Sequence, residues 1–177
     1  MEAGVLRMTA GGRKPFRVLV LCTGNSARSQ IAETLFNRLG AGRIHAESAG
    51  SRPAPRVNPL AIEALKDHGF AWTGHPPRGL DGLEREPWDF VITVCDKAKE
   101  SCPIFPGRPV TAHWGMPDPA EVVGEEAVRR AAFRDALVLI RRRIELMLAL
   151  PLETLERMAL EARVRSIGSE GREGGHR

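Results

Sequence analysis

A cysteine and an arginine separated by five residues form the first chemistry-bearing segment of this 177-residue chain, CTGNSAR from Cys22 to Arg28. The apolar residues before this segment predict a strand, and the residues after it predict a helix. A loop of this length between a strand and a helix can surround a tetrahedral oxyanion with backbone N–H groups, while the arginine binds two of its oxygens. We expect the same positive field to lower the pKa of Cys22, and Ser29 to donate a hydrogen bond to its sulfur.

Small side chains in this loop allow the backbone to approach an anion closely. The residues expected to contact the oxyanion are Thr23, Gly24, Asn25, Ser26, Ala27 and Arg28. The competing interpretation is an unreactive thiol at the end of a buried strand, since this spacing also occurs by chance. A nucleotide-binding loop is excluded because the chain contains no G-x-x-x-x-G-K-[ST] sequence.

The second segment holds the other two cysteines of the chain, Cys95 and Cys102, seven residues apart. In a continuous helix their Cα atoms would be about 10 Å apart, whereas a disulfide requires roughly 4.4–6.8 Å. A bond between them therefore requires a loop or an unwound helix, and the polar residues before Pro103 predict a short, marginal helix. The alternatives are a zinc site, which usually shows C-x-x-C pairs or clustered histidines that are lacking here, and two unrelated thiols.

The third segment is HWGMPDPA, which begins at His113 and follows the last predicted strand. Asp118 stands between two prolines, so its backbone is held on a rigid loop. A carboxyl group in that place can act as a general acid that protonates a leaving oxygen. The alternative is an ordinary Asp-Pro turn, and we expect His113 and Trp114 to be structural.

Strand-like and helix-like segments alternate along the chain, which predicts an α/β fold with a parallel sheet flanked by helices. The expected strands are residues 16–21, 43–48, 90–94 and 109–113, and the expected helices begin after the Cys22 loop, at Asn58-Pro59, near Glu125 and near Leu152. Ligands of such folds collect beyond the carboxyl ends of the strands. Because Cys22 and Cys95 each follow a strand directly, we expect both thiols at the same edge of the sheet.

The composition excludes several other classes of protein. The net charge is +4, but residues 1–17 carry +3 and residues 162–177 carry +2, which leaves −1 for the middle of the chain. No basic stripe with interleaved aromatic residues is present, so we expect no nucleic-acid partner. No apolar run is long enough for a membrane span or a signal peptide, and three cysteines cannot form a disulfide framework, so we expect a cytoplasmic protein.

Taken together, the three segments resemble those of the thioredoxin-coupled arsenate reductases, which share the fold of the low-molecular-weight protein tyrosine phosphatases. The matching stretches are VLCTGNSARSQIAE, SAG with VNPLAIEAL, VITVCDKAKESCPIFPG and HWGMPDPA. The resemblance covers about residues 16–148. We accordingly expect a flexible tail over 1–15, a catalytic domain over 16–150, an additional helix within 151–167 and a disordered tail over 168–177.

The resemblance implies a four-stranded parallel sheet and a role for each residue. Cys22 is the nucleophile that attacks arsenate, Arg28 binds the anion, Ser29 stabilises the thiolate and Asp118 is the acid. Cys95 and Cys102 then form the relay that carries the disulfide away from the nucleophile. The partners implied are arsenate, with phosphate or sulfate as mimics, and thioredoxin, although glutaredoxin with glutathione can serve the same disulfide.

Two rival functions stay open: a tyrosine phosphatase that uses only the nucleophile, the arginine and the acid, and a non-enzymatic oxyanion or redox sensor.

The resemblance also bears on metals, because some members of the family hold a potassium ion near the loop. Asn25, Glu33 and Ser48 match its ligands, but Arg78 occupies the position of the aspartate. We therefore predict no tightly bound cofactor and no potassium, since a guanidinium repels or replaces a cation.

Overall fold

The computed structural model describes residues 12–169, and its centre is a parallel sheet of four strands. The strands are β1 (Phe16–Cys22), β2 (Ile44–Gly50), β3 (Phe90–Thr93) and β4 (Val110–His113). They lie in the order β2-β1-β3-β4, and every neighbouring pair is parallel. The predicted four-stranded parallel sheet is confirmed. Strand β2 extends to Gly50, two residues beyond its expected end at residue 48.

Five helices cover the sheet within the described residues. They are α1 (Arg28–Leu39), α2 (Pro59–Asp67), α3 (Asp96–Glu100), α4 (Glu126–Leu148) and α5 (Arg157–Ile167). Short 3-10 turns lie at Leu83–Arg85 and Pro119–Glu121. The sequence signals for α2 are confirmed, because the Asn58 side chain accepts a hydrogen bond from the Leu60 N–H at 2.9 Å with Pro59 in the first turn.

Helix α4 buries one face, as its spacing of apolar residues predicts. The buried side chains of this face are Phe133, Leu137, Ile140, Ile144 and Met147. They join the same hydrophobic core as β1 and as the α5 residues Leu160, Val164 and Ile167. The segment beyond Pro151 is therefore packed into the core of the catalytic fold.

The C-terminal expectations need correction in two places. Helix α5 begins at Arg157 and not near Leu152, because the N–H groups of Thr154 and Leu155 bond back to the Pro151 carbonyl in a turn. Gly168 is buried and ends α5, with its N–H donating to the Arg165 carbonyl at 3.1 Å. The predicted disordered tail is therefore wrong at residues 168 and 169, while residues 170–177 lie outside the described residues, as do 1–11 of the predicted N-terminal tail.

The carboxyl ends of the strands lie side by side, and this edge positions the predicted chemistry. The Val94 N–H donates to the Leu21 carbonyl at 2.9 Å, so Cys95 follows β3 beside the end of β1. The Trp114 N–H donates to the Thr93 carbonyl at 2.7 Å, which places the start of the Asp118 loop next in line. None of the helices that the structure describes is long and apolar enough to cross a membrane.

Candidate active site

The loop between β1 and α1 is held by a ladder of hydrogen bonds from the 51–58 segment. The N–H groups of that segment donate to the loop carbonyls at 2.8–3.2 Å in four pairs: Ser51 to Cys22, Arg52 to Thr23, Ala54 to Gly24 and Asn58 to Ser26. In a planar trans peptide the N–H of the next residue faces the opposite side. The Asn25 N–H accordingly donates to the Cys22 sulfur at 3.1 Å. With the loop carbonyls bonded to the 51–58 segment, the Asn25 N–H points to the opposite side, towards the thiol, where an oxyanion would need N–H donors.

Asn25 fixes the curvature of this loop. It is fully buried and has a φ of 51°, in the left-handed region that asparagine tolerates better than most residues. Its side-chain Nδ2 donates to the hydroxyl oxygens of Ser29 at 2.8 Å and of Ser48 at 2.9 Å. The loop also requires Gly50 at the end of β2, because a Cβ atom there would lie 2.4 Å from the Thr23 carbonyl oxygen.

The Cys22 sulfur is surrounded by groups that favour a thiolate, yet it is deeply buried. Ser29 Oγ lies 2.9 Å from the sulfur. Burial raises the pKa of the Cys22 thiol, while the hydrogen bonds from Ser29 and the Asn25 N–H and the charge of Arg28 act to lower it. The expected lowering of the pKa is therefore wrong for this structure, because the loss of water around the sulfur outweighs its donors.

Arg28 connects the loop to the predicted acid. Its Nη2 lies 3.5 Å from Asp118 Oδ2, and its Nη1 donates to the Met116 carbonyl at 3.0 Å. The other carboxylate oxygen of Asp118 accepts a hydrogen bond from the Ala120 N–H at 2.9 Å, and the side chain is 30% exposed. The structure therefore places Asp118 next to Arg28 of the 22–28 loop, and the carboxyl group of Asp118 stays accessible to solvent.

Cys95 lies at the same loop. Thr23 Oγ1 is 3.2 Å from the Cys95 sulfur, and Thr23 directly follows Cys22 in the chain. The same sulfur accepts a hydrogen bond from the Ala98 N–H at 3.4 Å and caps the N-terminus of α3. The structure thus places a second thiol beside the oxyanion loop, as the two strand ends predict.

Cys102 occupies a different environment. Its thiol donates to the Pro103 carbonyl at 3.6 Å, and within residues 12–169 no hydrogen bond joins it to the other two cysteines. It lines a cavity of about 610 Å³ with Lys99, Ile104 and Arg108 on its walls. Partial burial raises the pKa of the Cys102 thiol. Cys102 is therefore a free thiol with contacts of its own, and it shares no hydrogen bond with the described atoms of the 22–28 loop.

Between Cys95 and Cys102, the predicted short helix is present as α3, which has only five residues. Its first residue, Asp96, contacts His113 Nε2 through Oδ1 at 2.9 Å. The Nδ1 atom of the same ring lies 2.8 Å from the Thr93 hydroxyl oxygen. His113 thus connects the first residue of α3 to the end of β3, a contact that no sequence pattern predicted.

The profile of the low molecular weight phosphotyrosine protein phosphatase family matches residues 17–159 of this chain. The chain belongs to this family. An arsenate reductase from Halalkalibacterium halodurans is 34% identical over 128 residues, which span 72% of this chain and 91% of that relative.

Solved structures of arsenate reductases share the fold. One in a phosphate-binding state has a TM-score of 0.61 and 27% identity, and covers 76% of this chain and 97% of its own. A thioredoxin-dependent arsenate reductase from Corynebacterium glutamicum has a TM-score of 0.51 and 26% identity, and covers 75% of this chain and 63% of its own. Within the phosphatase family, this chain is therefore similar to proteins that reduce arsenate.

Two residues of this chain that match the potassium ligands of some family members, Asn25 and Ser48, are bonded to Arg78. Arg78 donates through Nε to the Ser48 carbonyl at 3.0 Å and through its backbone N–H to Asn25 Oδ1 at 3.1 Å. Its Nη2 lies 3.1 Å from Glu47 Oε1. A hydrogen bond with His45 and the contact with Arg78 lower the pKa of Glu47 to about 2. The Arg78 guanidinium therefore lies between Ser48 and Glu47 in this chain.

Glu33 is the remaining member of that ligand set. Its Oε1 lies 3.1 Å from His75 Nε2, while its Oε2 is buried and makes no hydrogen bond with the described residues. Burial raises the pKa of this carboxyl group, while the charges of His75 and Arg78 act to lower it. A guanidinium bonded to the Ser48 carbonyl is an unfavourable neighbour for a potassium ion, because like charges repel. Within residues 12–169 no group of three or more His, Cys, Asp or Glu side chains is arranged to hold a metal ion.

Replacing the hydroxyl beside the nucleophile tests the electrostatics of the loop. Ser29→Ala removes a hydrogen bond to the sulfur and should raise the pKa of Cys22 further. Because a hydrogen bond to a charged group is worth about 1.5 kcal/mol or more, alkylation of Cys22 by iodoacetamide at neutral pH should slow by roughly tenfold. The measurement is the pH profile of alkylation in a chain that also carries Cys95→Ser and Cys102→Ser.

Ser51→Ala is the matched control, because only the backbone N–H of Ser51 contacts the loop. It should leave the profile unchanged. An alkylation profile of Ser29→Ala identical to that of the parent would show that the hydroxyl does not stabilise the thiolate.

Proposed function

We propose that this chain reduces arsenate to arsenite through Cys22, Cys95 and Cys102, and that thioredoxin restores the thiols. The observation that carries the proposal is the second thiol at the oxyanion loop, with the Cys95 sulfur 3.2 Å from Thr23 Oγ1. Hydrolysis of a phosphate ester needs only one cysteine, whereas reduction of a bound oxyanion needs a second thiol within reach. The relatives named arsenate reductases support the same conclusion.

In the first step, arsenate enters the 22–28 loop as a phosphate-like tetrahedral anion. The backbone N–H groups that face the sulfur and the Arg28 guanidinium bind its oxygens. The Cys22 thiolate forms a sulfur–arsenic bond, and an arsenate oxygen departs as water after taking a proton from Asp118. Ser29 and the Asn25 N–H stabilise the thiolate against the effect of burial.

In the second step, the Cys95 thiolate attacks the Cys22 sulfur. A sulfur–sulfur bond forms as the sulfur–arsenic bond breaks, and the electron pair of the broken bond stays on arsenic. Arsenic(V) thereby becomes arsenic(III) and leaves as arsenite, while the two thiols lose two electrons and form the Cys22–Cys95 disulfide. The Cys95 sulfur lies at the N-terminus of α3, where it accepts a hydrogen bond from the Ala98 N–H that must break as the sulfur attacks.

In the third step, Cys102 attacks Cys95, which frees Cys22 and moves the disulfide to residues 95 and 102. We propose that α3 unwinds during this exchange. Only five residues form the helix, and its cap is the Cys95 sulfur, which changes partner in the reaction. The contact between Asp96 and His113 must also break before α3 can unwind. Unwinding exposes the new disulfide to an external reductant.

Thioredoxin is the proposed reductant because one structural neighbour is thioredoxin-dependent. The cavity beside Cys102 offers an approach, since the neighbouring Ile104 side chain is 97% exposed. A coupled assay with NADPH, thioredoxin and thioredoxin reductase, run against one with glutathione and glutaredoxin, identifies the partner. Sustained NADPH oxidation should require arsenate and thioredoxin together. A chain that binds arsenate without turnover in either assay would be an oxyanion sensor.

Phosphatase activity is the second candidate, supported by the family and by Arg28 and Asp118 beside the nucleophile. It uses a cysteinyl-phosphate and needs neither Cys95 nor Cys102. The sequence after Asp118 is Pro119-Ala120, which supplies no aromatic side chain to hold a tyrosine ring. We therefore expect aryl phosphate hydrolysis to be weak compared with arsenite release from the same preparation.

Cysteine variants separate the steps of the relay. Cys102→Ser should release about one arsenite per chain and then stop, because the Cys22–Cys95 disulfide cannot move on. Cys95→Ser should release none, since no thiol can attack the arsenic adduct. Arsenite is measured by chromatography with arsenic detection, and the disulfide is located by peptide mapping. Sustained thioredoxin-dependent turnover by Cys102→Ser would remove that thiol from the mechanism.

We propose that the reductase rate and the stability of this chain do not depend on potassium, because Arg78 occupies this cluster. The reductase rate and the thermal unfolding temperature of the parent chain should be the same in potassium chloride and choline chloride at equal ionic strength. Arg78→Asp removes the guanidinium and supplies a carboxylate, so its unfolding temperature should rise by a few degrees on addition of potassium.

Arg78→Gln is the control, because it removes the positive charge without adding a ligand of opposite charge. It should be destabilised and respond little to potassium. Stimulation of the parent chain by potassium would contradict the proposal, because it would place a cation beside the guanidinium.

A further inference from the structure

Arg143 on α4 is the least exposed charged side chain that the structure describes, at 1% of its accessible surface. Its Nη1 donates to the Trp114 carbonyl at 2.8 Å and to the Gly115 carbonyl at 3.2 Å. Its Nη2 donates to the Gly168 carbonyl at 3.4 Å. Burying a guanidinium is costly unless its donors are used. These three acceptors are backbone carbonyls of two segments far apart in the chain.

The first of these segments leads directly to Asp118. The next carbonyl along, that of Met116, accepts a hydrogen bond from Arg28 Nη1 at 3.0 Å. Three successive carbonyls before the acid are therefore held by two guanidiniums, Arg143 and Arg28. Arg28 belongs to the 22–28 loop and contacts Asp118, whereas Arg143 is 1% exposed and holds the acid loop, residues 114–118, from within the core.

The second segment is the end of α5, which packs against the same loop. The Trp114 indole N–H donates to the Val164 carbonyl at 3.1 Å. A Cβ atom on Gly168 would lie 2.2 Å from the His113 carbonyl oxygen, so only glycine permits this approach. Most of α5 lies beyond residue 159, where the match to the family profile ends. The extension thus contributes a contact to the acid loop from outside the matched region.

We propose that Arg143 is a positioning residue for Asp118. It positions Asp118 by holding the backbone that leads to this residue against the end of α5. The proposal rests on the proposed role of Asp118 as the acid. Arg143 does not touch the substrate. It sets the distance between the carboxyl group and the departing oxygen, and a displacement of about 1 Å at such a group can cost about 100-fold in rate.

Arg143→Lys tests this positioning role most directly. Lysine keeps the positive charge but lacks the planar guanidinium, which donates to several carbonyls at once. Single-turnover arsenite formation should slow by about tenfold or more, with little change in the arsenate concentration that gives half the maximal rate. Gly168→Ala should act in the same direction, because its Cβ atom pushes α5 away from the loop. Arg142→Lys, on the exposed side of the same helix, is the matched control and should leave both quantities unchanged.

A double-mutant cycle with Asp118→Asn separates positioning from a general loss of structure. If Arg143 acts through the acid, Arg143→Lys should slow the parent chain but have almost no further effect in the Asp118→Asn chain. Equal slowing in both chains overturns the proposal, as does a changed half-saturating arsenate concentration with an unchanged maximal rate. Circular dichroism and the thermal unfolding temperature identify variants that fail to fold, in which case Gly168→Ala takes the place of Arg143→Lys in the cycle.

The same cycle on p-nitrophenyl phosphate hydrolysis distinguishes this inference from the proposed function. A chain that forms no arsenite but hydrolyses the ester, with the same non-additivity, refutes arsenate reduction and retains the role of Arg143. A chain in which Asp118→Asn slows neither reaction refutes the acid and the positioning residue together.

Discussion

The chemistry of this protein depends on the ladder of hydrogen bonds between the 51–58 segment and the carbonyls of the 22–28 loop. Each bond fixes the direction of one peptide plane, and the N–H on the far side of the Gly24–Asn25 plane donates to the Cys22 sulfur. The ladder holds because Gly50 allows the end of β2 to approach the loop and because Asn25 accepts a left-handed backbone. In the proposed reaction an oxyanion meets dipoles that are already oriented, so little reorganisation is needed when charge develops.

The parts of this arrangement that could be predicted from sequence are those encoded locally. Alternation of apolar runs with helical spacing predicted the four parallel strands, and this alone brought Cys22 and Cys95 to one edge of the sheet. The Asn58-Pro59 pair predicted the start of α2, because capping involves neighbours in the chain. The turn that delays α5 to Arg157 was missed because Leu152 satisfies a helical pattern while it is in fact buried by tertiary packing.

Other contacts could not be predicted because they join residues far apart in the sequence. The pKa of Cys22 depends on how much water the fold excludes, and no local pattern reports that quantity. The contact of Asp96 with His113 and that of Arg143 with Gly168 depend on the exact packing of helices against strand ends. The arginine at position 78 was visible in the sequence as a departure from the family, but its bond to the Ser48 carbonyl required the fold.

Burial of the thiols also orders the proposed relay. Partial burial raises the pKa of Cys102 and so disfavours its thiolate while α3 is intact. Cys95 caps α3 until it attacks Cys22, and the helix then loses the hydrogen bond from the Ala98 N–H to the free thiol. In the proposed relay, unwinding of α3 admits water to Cys102. The third thiol would therefore become reactive after the second has reacted, which is the order that the proposed relay requires.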